Sequence, residues 1–115
     1  MSGPNRGTIY AGIYHVWRRT AGPVAMFKDD VDRTDFCNRL ADTSTRYGWR
    51  CAAFVLMPTH FHLMLDLPEN ALQNGMHRLF GMYAQQFNRR WNRSGHLRAG
   101  PYKCRLIEGE TDLLG

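Results

Sequence analysis

The stretch 57–67, Met57-Pro58-Thr59-His60-Phe61-His62-Leu63-Met64-Leu65-Asp66-Leu67, constrains this chain more than any other. In a β-strand, side chains two residues apart share a face. His60 and His62 therefore project from one side, and Phe61, Leu63, Leu65 and Leu67 from the other. The apolar side reads as core. The opposite side carries two neighbouring imidazoles, a start on a divalent-metal site. The same spacing also fits two half-exposed polar side chains on a strand. Pro58-Thr59 marks a tight connection from the apolar run before it.

The rest of the chain supplies the elements such a strand needs around it. Residues 10–19 (YAGIYHVWRR) are rich in β-branched and aromatic residues and predict strand one. The Ala21-Gly22-Pro23 cluster ends it. Residues 29–48 place acidic residues in the first turn and Gly48 past the last one, with Phe36, Leu40 and Tyr47 at helical spacing. That pattern predicts a capped amphipathic helix. Residues 49–57 (WRCAAFVLM) are apolar on both faces and predict a central strand. Pro68-Glu69-Asn70 opens a second helix to about Arg93, striped by Leu72, Met76, Leu79, Tyr83, Phe87 and Trp91. Gly75 and Gly81 lower its helical propensity, which points to close packing at those positions. Residues 102–107 (YKCRLI) predict strand four, and EGETDLLG reads as the first turn of a further helix.

Strand, helix, strand, strand, helix, strand is the split βαβ, ferredoxin-like order. The expected fold is α+β: a four-stranded antiparallel sheet with two helices on one face, as one domain over residues 1–115. The histidines then fall on the open face, because Phe61, Leu63 and Leu65 are needed beneath the helices.

Composition narrows the partners. The three cysteines form no CxxC pair, which argues against a disulfide framework and a structural zinc site. No long apolar run or leader segment is visible, so the expectation is a cytoplasmic protein without a membrane partner. The formal charge is +5, and most of it is arginine, suited to bidentate phosphate recognition. Arg89, Arg90 and Arg93 cluster around Trp91 at the end of the second helix, with Lys103 and Arg105 in strand four. Singly each fits a solvated face; together they read as a DNA-backbone patch. His15 alternates with Trp17 and reads as structural or supporting a metal ligand, whereas His77 and His96 carry no specific signal.

Four blocks resemble one family: YHVWRR, MPTHFHLML, FNRRWNRSGHL and GPYKCR, in the same order and at plausible spacing over nearly the whole chain. They are similar to the HUH single-tyrosine transposases, and specifically to the REP-associated tyrosine transposase branch. The resemblance implies cleavage and rejoining of single-stranded or hairpin DNA. It implies that His60 and His62 hold a magnesium or manganese ion, and that Arg19, at the end of strand one, adds a DNA contact. It also implies a tyrosine nucleophile that becomes a 5′-phosphotyrosine.

The chain departs from that family in two places. The nucleophile's pattern, Tyr-Ile-x-x-Asn-Pro on a helix after strand four, does not occur, so the expectation is a domain lacking that helix, with no catalytic tyrosine of its own. Tyr83 lies in the apolar stripe of the second helix and reads as core, and neither Tyr14 nor Tyr102 is supported as a substitute. The stretch GHLRAGPYK places Arg98 where the family shows an aromatic residue and Pro101 where it shows an arginine, which puts a stacking or phosphate contact in doubt. Two other readings stand beside cleavage. One is a module that binds DNA hairpins without cutting them; the other is a metal-dependent hydrolase, for which only Asp66 shares the histidine face. A homodimer through an exposed sheet edge completes the expected partners.

Overall fold

The computed structural model describes residues 9–109. Its elements follow the expected order: β1 (Gly12–Arg19), α1 (Asp30–Tyr47), β2 (Arg50–Met57), β3 (His60–Leu67), α2 (Leu72–Arg90) and β4 (Lys103–Gly109). The strands form one antiparallel sheet in the order β2-β3-β1-β4. Both helices pack on one face of it. Their apolar stripes meet Tyr14 and Val16 of β1 and Phe61, Leu63, Leu65 and Leu67 of β3 in a single buried cluster. Residues 110–115, where the sequence hints at another helix, lie outside the described residues.

The ends of α1 follow from its sequence. Asp29 is the N-cap, its carboxylate accepting from the Asp32 amide at 3.1 Å. Gly48 closes the helix in the left-handed region (φ 72°), where a side chain would be strained. In α2, Leu72, Met76, Leu79, Tyr83 and Phe87 are all buried, and Trp91, just past the end, is partly so. The helix stops at Arg90, earlier than the pattern predicts, and Asn92 takes a positive φ of 52°. Close packing holds for Gly75 and not for Gly81. A Cβ at Gly75 would sit 2.2 Å from Cζ2 of Trp49, while one at Gly81 would meet nothing within 4 Å. Trp49 is fixed there by its indole N–H, which donates to the Ala71 carbonyl at 2.7 Å.

One expectation is overturned. β2 is an edge strand, not a central one. Phe54, Val55 and Met57 are 48%, 51% and 41% exposed, so an apolar run here does not mean burial on both faces. The interior positions belong to β1 and β3, whose outward residues include His15, Trp17 and His62. Those polar and aromatic side chains give the true central strands the alternating look of half-exposed ones.

Candidate metal and DNA site

The sheet register builds the open face directly. β1 pairs with β3 so that Arg19 opposes His60, Trp17 opposes His62 and His15 opposes Met64. On the other side of β1, Trp17 opposes Lys103 and His15 opposes Arg105 of β4. Residues opposed in an antiparallel pair share a face. His15, Trp17, Arg19, His60, His62, Lys103 and Arg105 therefore lie on the side away from the helices, and Phe61 and Leu63 lie in the core.

At the centre, three imidazoles come together. The rings of His60 and His62 stand nearly perpendicular, at 87°, with centroids 5.1 Å apart. Nδ1 of His62 is 2.8 Å from Nε2 of His15. The His15 ring lies against Trp17, with centroids 4.4 Å apart and planes 25° off parallel. Nδ1 of His60 is 3.3 Å from the Thr59 hydroxyl, a long contact. Each of the paired histidines thus has its δ nitrogen engaged. Among the described residues, neither ε nitrogen has a hydrogen-bond partner.

Electrostatics favour the neutral form of two of these rings. Burial lowers the pKa of His15, and His62 and Arg105 push it the same way. Burial likewise lowers the pKa of His60, helped by His62 and Arg19. Neutral imidazole is the form that ligates a metal. Two ε nitrogens on one face suit a divalent ion that takes its other ligands from water or phosphate. Among the described residues, no group of three or more His, Cys, Asp or Glu side chains is placed to hold an ion.

The six basic residues singled out from the sequence fall into two groups. Arg19, Lys103 and Arg105 share the face of the histidines. Arg89, Arg90 and Arg93 lie at the end of α2, in the helix layer, and are engaged with protein groups. Arg89 donates to Gln86 at 3.0 Å, and Arg93 to the Asn88 side chain and the His96 carbonyl at 3.0 and 3.1 Å. Arg90 forms a bidentate pair with Asp29, at 2.6 Å for each bond, and also reaches Asp32 at 2.7 Å.

No described tyrosine in the core can reach the histidines. Tyr83 is 1% exposed, and its hydroxyl donates to the Met26 carbonyl at 2.5 Å. Burial, with nearby Asp32, raises its pKa far above the ordinary tyrosine range. Tyr14 is buried and donates to the Tyr10 carbonyl at 2.8 Å. A groove of about 550 Å³ opens between α2 and residues 95–102, lined by Arg18, Phe80, Gln85, Asn88, Arg98 and Tyr102. There the Arg18 guanidinium lies 4.9 Å from the Phe80 ring centroid and 5.8 Å from that of Tyr102. Burial and Arg98 bring the Arg18 pKa down to about 10, which leaves it charged at neutral pH.

The structure is thus an α+β domain whose ferredoxin-like sheet bears a His-x-His pair on its open face, with Arg19, Lys103 and Arg105 on the same side. The chain belongs to the IS200-like transposase family: the model described as "Transposase IS200 like" matches residues 8–111. Solved structures share the fold, two of them transposases by description. A REP-associated tyrosine transposase bound to a REP hairpin superposes with a TM-score of 0.73 at 13% identity, over 99% of this chain and 67% of that one. A candidate transposase from Deinococcus radiodurans R1 gives a TM-score of 0.65 at 20% identity, over 99% of this chain and 91% of the other. No curated protein matches the chain. Among the described residues, no helix is long and apolar enough to cross a membrane.

Proposed function

We propose that this domain acts in DNA transposition, binding single-stranded or hairpin DNA on the open face of its sheet and holding magnesium or manganese at His60 and His62. The observation that carries this reading is the pair of free ε nitrogens on the face that also bears Arg19, Lys103 and Arg105. A bound divalent ion would supply Lewis-acid polarisation of a phosphate oxygen. The residues of the chain do the rest. The three cations neutralise backbone phosphates on either side of the histidines, and Trp17 offers an aromatic surface beside them. The hairpin in the REP-associated relative supports the same class of ligand here.

Strand cleavage in this reading is attack by a tyrosine hydroxyl on phosphorus, giving a 5′-phosphotyrosine and a free 3′-hydroxyl. The attacking residue is not Tyr83 or Tyr14, whose hydroxyls are committed in the core. The same observation favours a second reading, in which the domain binds a DNA hairpin without cutting it. Residues 1–115 act as one domain in both readings. The exposed apolar edge at β2 supports pairing of two copies, and three free cysteines support a reducing, cytoplasmic setting.

The test is a manganese titration followed by nuclear magnetic resonance, with hairpin binding measured across a salt series. Selective broadening of the His60 and His62 ring signals, together with affinity that falls as salt rises, is expected. No perturbation of either ring would end the metal reading. Salt-independent affinity would end the DNA reading.

A further inference from the structure

The shortest contact at the candidate site joins two side chains of which only one belongs to the His-x-His pair. Nε2 of His15 is 2.8 Å from Nδ1 of His62. A neutral imidazole carries one N–H, so one ring must donate and the other accept. The direction has a chemical consequence. If His15 donates, the His62 proton sits on Nε2, and the nitrogen free of protein contacts cannot take a metal. If His62 donates, its Nε2 lone pair is open.

We propose that His15 is a positioning residue: its Nε2 accepts from Nδ1–H of His62 and so holds His62 in the tautomer whose Nε2 can ligate a divalent cation. The inference rests on the metal reading given above. It is carried by two features of the structure. The His15 ring is held flat against Trp17, 4.4 Å between centroids, on a strand paired on both sides, so its Nε2 is fixed in space. Nδ1 of His60 is also engaged, by Thr59, which leaves the two ε nitrogens equivalent in their lack of protein partners.

The physical logic is that of outer-sphere support in metal sites. A partner on the non-ligating nitrogen fixes tautomer and ring orientation, and its loss typically weakens metal binding by about 10- to 100-fold. In water a free neutral histidine favours the proton on Nε2, which is the wrong form here. Without His15, His62 must change tautomer before it can ligate.

The experiment uses the 115-residue chain with its histidine nitrogens labelled with ¹⁵N. Tautomers are assigned in the metal-free protein, and manganese affinity is then measured by paramagnetic relaxation. In the wild type, His62 is expected as Nδ1–H. His15→Phe keeps a flat ring against Trp17 but removes the acceptor; it should move His62 toward Nε2–H and weaken manganese binding about 10- to 100-fold. His15→Gln retains an accepting oxygen and should restore both readouts, which a merely structural role for the ring would not predict. Finding His62 as Nε2–H in the wild type overturns the inference, as does unchanged affinity in a folded His15→Phe protein. Tight manganese binding with the wrong tautomer sinks only this inference. The expected tautomer with no manganese binding at either ring sinks the metal reading and the inference together.

Discussion

Arg90, at the last turn of α2, grips the carboxylate of Asp29, the residue that caps α1, through two bonds of 2.6 Å. The same guanidinium reaches Asp32, which is 3% exposed and also receives the Lys28 amide and the Trp91 indole N–H. The end of one helix is thereby fastened to the beginning of the other. A side chain that reads as a DNA contact in sequence also bonds two carboxylates of the protein through both terminal nitrogens.

The pH dependence of stability should carry the mark of this pair. The hydrogen bond from Arg90 holds the Asp29 pKa down at about 2. A depressed carboxyl contributes stability that is complete above its ordinary range near pH 4 and is lost as pH falls toward 2. Thermal unfolding followed from pH 5 to pH 2 should show this acid loss in the wild type. In Arg90→Ala the melting temperature should be lower at neutral pH and the acid loss smaller. An acid limb that is unchanged in the variant would contradict the assignment.

Tyr83 separates packing from chemistry. Removing the ring in Tyr83→Ala should destabilise the fold by about 3–5 kcal/mol. Tyr83→Phe deletes only the hydroxyl and its bond to Met26, a loss of about 0.5–1.5 kcal/mol, and should leave hairpin affinity unchanged. Urea denaturation measures the first quantity and a binding titration the second. A covalent protein–DNA band that vanished in Tyr83→Phe would identify Tyr83 as the nucleophile after all.

The two groups of cations should differ in solution. Replacing Arg19, Lys103 and Arg105 by alanine removes three cations from the histidine face. The log–log salt slope for single-stranded DNA should fall by about 2, at roughly 0.7 per phosphate contact. Arg90→Ala, compared at a temperature where both proteins are folded, should leave the slope close to the wild-type value. Equal effects from the two replacements would place the DNA differently.

Two glycines of α2 should respond with opposite signs. Gly75→Ala drives a methyl to 2.2 Å from the Trp49 ring, and overpacking of this kind costs about 1–3 kcal/mol. Gly81→Ala meets open space and should gain up to about 1 kcal/mol from helix propensity. A pair of denaturation curves checks both.

Much of this architecture is legible in the sequence because local signals agree with it. The acidic first turn and Gly48 mark α1, the apolar stripe marks α2, and alternation through 60–67 assigns the faces of β3. The edge position of β2 follows from the ferredoxin-like order and is obscured by its apolar run, because hydrophobic content reports a preference for burial and not which strands are neighbours. The role of Arg90 and the partner of His15 are hidden for a related reason. Each rests on a residue far along the chain: Asp29, 61 residues away, and His62, 47 residues away. For His15 a structural or metal-supporting role is read from its alternation with Trp17, and the ferredoxin-like order, which sets β1 beside β3, puts it on the face of His62.

The histidine cluster sits on the two interior strands, where every main-chain ladder is doubled. Such strands open only with the whole fold, so their amides should be the slowest to exchange with solvent. The candidate site is therefore rigid by construction. In the DNA-binding function proposed above, movement to admit, turn or release a strand would come from the nucleic acid or from surfaces outside β1 and β3.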